Sequence, residues 1–140
     1  MNNPLNMYRE TSIKTAGQGK LIVLLYDEAI KNLDKAITIL ESEIRHYDKA
    51  NNAIIKAQDI ITELSASLDF EKGKDIASNL FSLYVYFNRQ LMSANLDKDS
   101  KPLKPVRSML FELRTAWKQI ENTKETPSDK GNVGVDIAAG

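Results

Sequence analysis

Apolar residues recur at steps of three and four along four stretches of this chain, the spacing of one helical face. In the first stretch Leu21, Ile22, Leu25, Tyr26, Ala29, Leu33, Ala36, Ile37, Leu40 and Ile44 predict a long helix from near Thr15 to near Glu43. Thr15-Ala16-Gly17-Gln18 fits a capping box at its start, although Gly17 and Gly19 weaken that turn. The second stretch, Ala50, Ile54, Ala57, Ile60, Ile61, Leu64 and Leu68, predicts a helix over residues 48–68 that breaks before Gly73. The fourth, Val106, Met109, Leu110, Leu113, Trp117 and Ile120, predicts a helix over residues 103–122. Pro102 and Pro105 suit the loop and first turn at its head.

The third stretch, residues 74–96, is over-supplied. Ile76, Leu80, Leu83, Tyr84, Phe87, Leu91 and Ala94 make one inward stripe, and Ala77, Phe81, Val85, Tyr86 and Met92 form a second set beside it. An ordinary surface helix carries one apolar stripe and one polar face. A helix apolar over most of its circumference is either central or covered by a partner, and the surplus is a first pointer to binding of another polypeptide. Tyr84 and Tyr86 are two apart, so they cannot both point inward. An exposed tyrosine beside Phe81 and Val85 makes a patch of interface type, with a homodimer face as the competing reading.

No strand alternation or repeat period is present. Short polar links between long helices favour antiparallel neighbours. The pattern predicts an all-α protein: an antiparallel up-down four-helix bundle over residues 15–122, a short N-terminal arm over 1–14, and a tail of disordered composition over 123–140. Met7 and Tyr8 are the large apolar pair of the arm.

Composition narrows the function. A chain of 140 residues suits one domain with a self-sufficient core. Lys plus Arg and Asp plus Glu number 19 each, so no net field draws nucleic acid or anionic membrane. Without cysteine there is no disulfide, thiol catalysis or thiolate metal site. The longest apolar run, Leu21 to Tyr26, is far too short to span a membrane. Met1 to Asn6 lacks the basic start and apolar core of a secretory signal, so a cytoplasmic location is expected.

Candidate chemistry is sparse. Glu43-Ile44-Arg45-His46 has the Glu-x-x-His spacing of a bundle di-iron site, but that site needs two such motifs and the chain has one histidine. His46 also raises a histidine phosphotransfer reading, weakened by its place at a helix end with Tyr47 and Asp48 next. A solvated loop histidine is the plainer assignment. Gly17-Gln18-Gly19-Lys20 is too short for a phosphate loop. The remaining carboxylates alternate with lysines as on solvated helix faces. No catalytic residue, cofactor or metal is predicted.

Taken in order, several segments resemble one family. They are Met7-Tyr8; Thr15-Ala16; Lys20 to Ile30, reading Lys-Leu-Ile-Val-Leu-Leu-Tyr-Asp-Glu-Ala-Ile; Lys56 to Leu64, followed by Ser67-Leu68-Asp69; Asn79-Leu80-Phe81-Ser82-Leu83-Tyr84-Val85-Tyr86; Ala94-Asn95; and Glu112-Leu113-Arg114-Thr115-Ala116-Trp117. In this order and at these separations the chain resembles the flagellin-specific secretion chaperones, FliS. It departs at Gly17-Gln18-Gly19, where the family usually has a Ser-Pro-like helix start, and in its tail. The resemblance implies a cytosolic chaperone that binds the disordered C-terminal segment of flagellin, blocks premature polymerisation and keeps the subunit competent for the flagellar type III export apparatus. Client contacts are expected on the third helix at Asn79, Phe81, Tyr84, Val85 and Tyr86. The resemblance also implies an autoinhibitory role for Met7 and Tyr8, covering part of the same groove.

Overall fold

The computed structural model describes the backbone of residues 4–124 and the side chains of residues 19–122. Four helices make up the described chain: α1 (Pro4–Leu40), α2 (Tyr47–Ala66), α3 (Phe70–Asp97) and α4 (Leu103–Lys124). No strand occurs among the described residues. Helix α1 packs on α2 and α4, and α2 packs on α3. The α3–α4 contact is the thinnest, and among the described residues the diagonal pairs do not touch through their backbones. The result is an all-α four-helix bundle.

Most residues of the stripes read from the sequence form the core, joined by Val23, Ile30, Ala53 and Leu103. Tyr26, Ala29, Leu33, Ala36, Ile54, Ala57, Ile61, Phe87, Leu91, Ala94, Leu103, Val106 and Leu110 are fully buried. Trp117 joins them, and Leu80, Leu83, Met109, Leu113 and Ile120 pack half-buried against the rim. Burial of each large aliphatic side chain is worth about 1.5–3 kcal/mol, so periodicity at this scale dictates which face turns inward.

Two side-chain ladders set the register. Asp27 pairs with Arg114 at 2.7 Å, Asp34 with Arg107 at 2.9 Å and Glu41 with Lys104 at 2.6 Å. Partner numbers fall along α4 as they rise along α1, so these helices run in opposite senses. Asn95 donates to Asn51 at 2.7 Å, and Gln58 donates to the Asn88 carbonyl at 3.4 Å, giving α2 and α3 the same opposed relation.

Three boundaries differ from the sequence reading. Helix α1 begins at Pro4 and passes through Thr15 without interruption. Pro4 is a favourable first helical residue, its missing N–H being one the helix leaves unpaired anyway. The side chains of the Met7–Tyr8 arm and the tail beyond residue 124 lie outside the described residues. At its other end α1 stops at Leu40, short of Glu43. There the Ser42 hydroxyl donates to the Thr38 carbonyl at 2.6 Å and competes with the next helical bond. Ile44 therefore falls in the link and is 72% exposed, not part of the stripe.

The third difference lies in α3. Asp69 accepts from the Lys72 N–H at 3.0 Å and caps a first turn ahead of Gly73. Lys74 then leaves helical geometry at φ 46°, ψ −120°, and the long straight part of the helix follows. Ile76, expected inside, is exposed just after this kink, and Ala77 takes the buried position. At the far end Lys98 adopts the left-handed conformation at φ 51°, ψ 47°, and its N–H closes on the Ala94 carbonyl.

Candidate partner-binding surface on the third helix

Helical periodicity divides the straight part of α3 into three faces. The inner face is Ala77, Tyr84, Phe87, Leu91 and Ala94, all buried. Asn88 and Asn95 mark the side toward α2, since Asn88 donates to Thr62 and Asn95 to Asn51. Outward of them runs Phe81, Val85, Met92 and Leu96, at steps of four, seven and four. Phe81 is 44%, Met92 56% and Leu96 78% exposed, and Val85 is half-buried. Phe70 leans on Phe81 edge to face, the centroids 6.0 Å apart. On α2, exposed Ile55 shares a helix face with Asn51, Gln58 and Thr62, so it borders the same strip.

The opposite flank of α3 carries Asn79, Leu83 and Tyr86, again one face by their spacing of four and three. Tyr86 is 42% exposed, its ring tilted against Phe87 at 6.2 Å. This flank borders the thin α3–α4 contact, where Met109, Leu113 and Ile120 of α4 are half-buried.

The five positions expected to contact a client are therefore separated. Phe81 and Val85 share the α2 side, while Asn79 and Tyr86 share the α4 side. Tyr84 is 2% exposed and lies in the core. As anticipated, only one of Tyr84 and Tyr86 points inward. The Tyr84 hydroxyl is hydrogen-bonded to the Tyr26 hydroxyl of α1, a partner the sequence reading did not supply. The available signal was that a buried tyrosine needs a hydrogen-bond partner, and Tyr26 also stands on a core stripe. Burial pushes the Tyr84 hydroxyl up to about 12. Burial, with Tyr84 close by, raises Tyr26 well above its ordinary value, while a hydrogen bond with Trp117 pulls the other way.

Polar chemistry lies elsewhere and is largely self-satisfied. Arg107 grips Asp34 with two nitrogens, at 2.9 and 3.3 Å, and that pairing raises its own proton affinity. Hydrogen bonds from Lys104 and Ser100 hold the Glu41 carboxyl below its usual range. His46 is exposed ahead of α2 and makes no side-chain cap bond. Among the described residues no group of three or more His, Cys, Asp or Glu is placed to hold a metal. No helix there is long and apolar enough to cross a membrane.

The class that emerges is an all-α four-helix bundle with paired charges along its α1–α4 side and exposed apolar side chains along α3. Residues 1–124 match the family model described as flagellar protein FliS. The chain is 29% identical over 134 residues to the flagellar secretion chaperone FliS of Bacillus subtilis, covering 95% of this chain and 98% of that one. It is 38% identical over 112 residues to the FliS of Salmonella typhimurium, covering 79% and 82%. It is 32% identical over 113 residues to the chaperone FliSB of Pseudomonas aeruginosa, covering 81% and 88%. The chain belongs to the FliS family of flagellar secretion chaperones.

Proposed function

We propose that this protein is a cytosolic export chaperone for flagellin. It binds the disordered C-terminal segment of the unassembled subunit, prevents premature polymerisation and delivers a subunit competent for flagellar type III secretion. The observation that carries this reading is the outward apolar stripe Phe81, Val85, Met92 and Leu96, together with Phe70 and Ile55, in a member of the FliS family. An amphipathic segment laid along such a stripe buries its own apolar face and that of α3 together. Ordering the segment costs several kcal/mol of the gross contact energy, which suits a client that must later be released.

Asn79 and Tyr86 form a second contact strip on the other flank. Tyr84 serves the site from beneath by holding α3. Met7 and Tyr8 act as a lid over part of the groove, an assignment that rests on the family resemblance. The test is binding of a flagellin C-terminal peptide by calorimetry, with peptide protection of α3 amides as the map. Protection confined to α1 or to the loops would overturn the assignment. A self-associating scaffold, the rival reading, would instead show concentration-dependent dimerisation that the peptide does not reverse.

A further inference from the structure

The two non-glycine residues with positive φ among the described residues are Lys74 and Lys98. They stand at the two ends of one segment, residues 75–97 of α3. Lys98 fills a standard helix-end position, but Lys74 takes a conformation that suits glycine, while Gly73 next to it does not. Such geometry persists only where the surroundings hold it.

The segment between these joints is held unevenly. Its contact with α4 is thin and its backbone does not touch α1. Along α2 the Asn95–Asn51 hydrogen bond near the far end is short at 2.7 Å, but those at mid-helix are long. Asn88 reaches Thr62 at 3.4 Å, close to the limit for such a bond, and its Oδ1 is buried with no partner. Across the core, by contrast, the Tyr84 hydroxyl bonds to Tyr26, whose ring is fully buried. That bond spans a diagonal that no backbone contact bridges.

We propose that residues 75–97 form a movable body, jointed at Lys74 and Lys98, and that the Tyr26–Tyr84 hydroxyl bond is the latch fixing how far α3 stands from α1 and α4. Tyr84 is thus a positioning residue for the surface described above. With the latch closed, α3 keeps its thin contact with α4. With it open, α3 moves on its joints and that contact parts, while Asn88 gains freedom to pair. The inference deepens the chaperone reading by naming how its surface is set, and it rests on that reading only for its purpose.

The test uses the free protein. The chain has no cysteine, so Ser93→Cys on α3 and Ser108→Cys on α4, both exposed, accept a pair of spin labels. Added to this background, Tyr84→Phe keeps the ring and removes the bond. The label distance distribution should broaden, and amide protection across residues 76–94 should fall at least ~10-fold relative to α2. Tyr26→Phe breaks the same bond from α1 and should reproduce the change on α3. It also serves if Tyr84→Phe fails to fold. An unchanged distribution, or protection lost evenly over all four helices, overturns the latch. So does a Tyr26→Phe change confined to α1. Neither readout involves flagellin, so failure of a flagellin peptide to bind would count against the chaperone reading and leave this result standing.

Discussion

Phe70 and Phe81 meet edge to face across the kink of α3, their ring planes at 70°. Each stays nearly half exposed, at 49% and 44%. The pair closes the start of the exposed stripe, yet much of its apolar area is still presented outward. Aromatic pairing of this kind is worth about 0.5–1.5 kcal/mol at most. We predict that a double-mutant cycle of Phe70→Ala and Phe81→Ala, read by urea unfolding, gives a coupling below about 1 kcal/mol. A larger value would place the pair in the core.

Adjacent residues on α3 should separate sharply. Leu91 is fully buried and Met92 is 56% exposed. Leu91→Ala is expected to cost about 2–5 kcal/mol through lost transfer energy and the cavity left behind. Met92→Ala should stay within about 0.5 kcal/mol. Equal losses in denaturant unfolding would mean that α3 is rotated from the orientation described.

The contrast of Leu91 with Met92 was legible in the sequence, because a helical period assigns neighbours to different faces. So was the division between Tyr84 and Tyr86. The kink was half legible: Gly73 announces a break, but nothing local says that Lys74 takes the unfavourable conformation, since the Asp69 cap and tertiary packing decide that. The consequence, Ile76 outside and Ala77 inside, could not be read from a pattern that assumes one unbroken phase. The C-terminal end of α1 was illegible for a similar reason. No glycine or proline marks Leu40, and the competing Ser42 bond is a local choice that periodicity does not see. The pairing of Tyr26 with Tyr84 joins residues far apart in sequence, so it required the fold. Asn79, Phe81, Tyr84, Val85 and Tyr86 are close in sequence, but a helical period turns Tyr84 inward and sets Phe81 with Val85 and Asn79 with Tyr86 on opposite flanks.

The buried tyrosine pair predicts alkaline instability. A hydroxyl raised from 10.0 to about 12 favours the protonated, folded state. Its stabilising contribution is complete below about pH 10, where the unfolded chain is also protonated, and is lost as pH rises through about 12. For Tyr84 the amount is about 3 kcal/mol. Urea unfolding at a series of pH values from 9 upward should show wild type losing stability faster than Tyr26→Phe/Tyr84→Phe. Parallel curves would contradict the buried pairing.

Backbone geometry predicts two stabilising substitutions. Lys74→Gly should raise stability by about 1 kcal/mol or more, because glycine meets φ 46° without strain. Gly19→Ala should add about 0.5–1 kcal/mol by favouring helix, since a Cβ there meets Glu121 Cγ at an ordinary 3.8 Å. Thermal unfolding checks both. A loss at Lys74→Gly would show that the kink is not strained.

Calorimetric titration decides whether the outward stripe of α3 receives flagellin. A peptide of the flagellin C-terminal segment is titrated into wild type and into Val85→Asp, whose half-buried edge position tolerates a charge better than the core does. Binding to wild type and an affinity at least ~10-fold weaker for Val85→Asp, with melting temperatures alike, is the predicted result. Equal affinity for both proteins, or no binding to wild type, would contradict it.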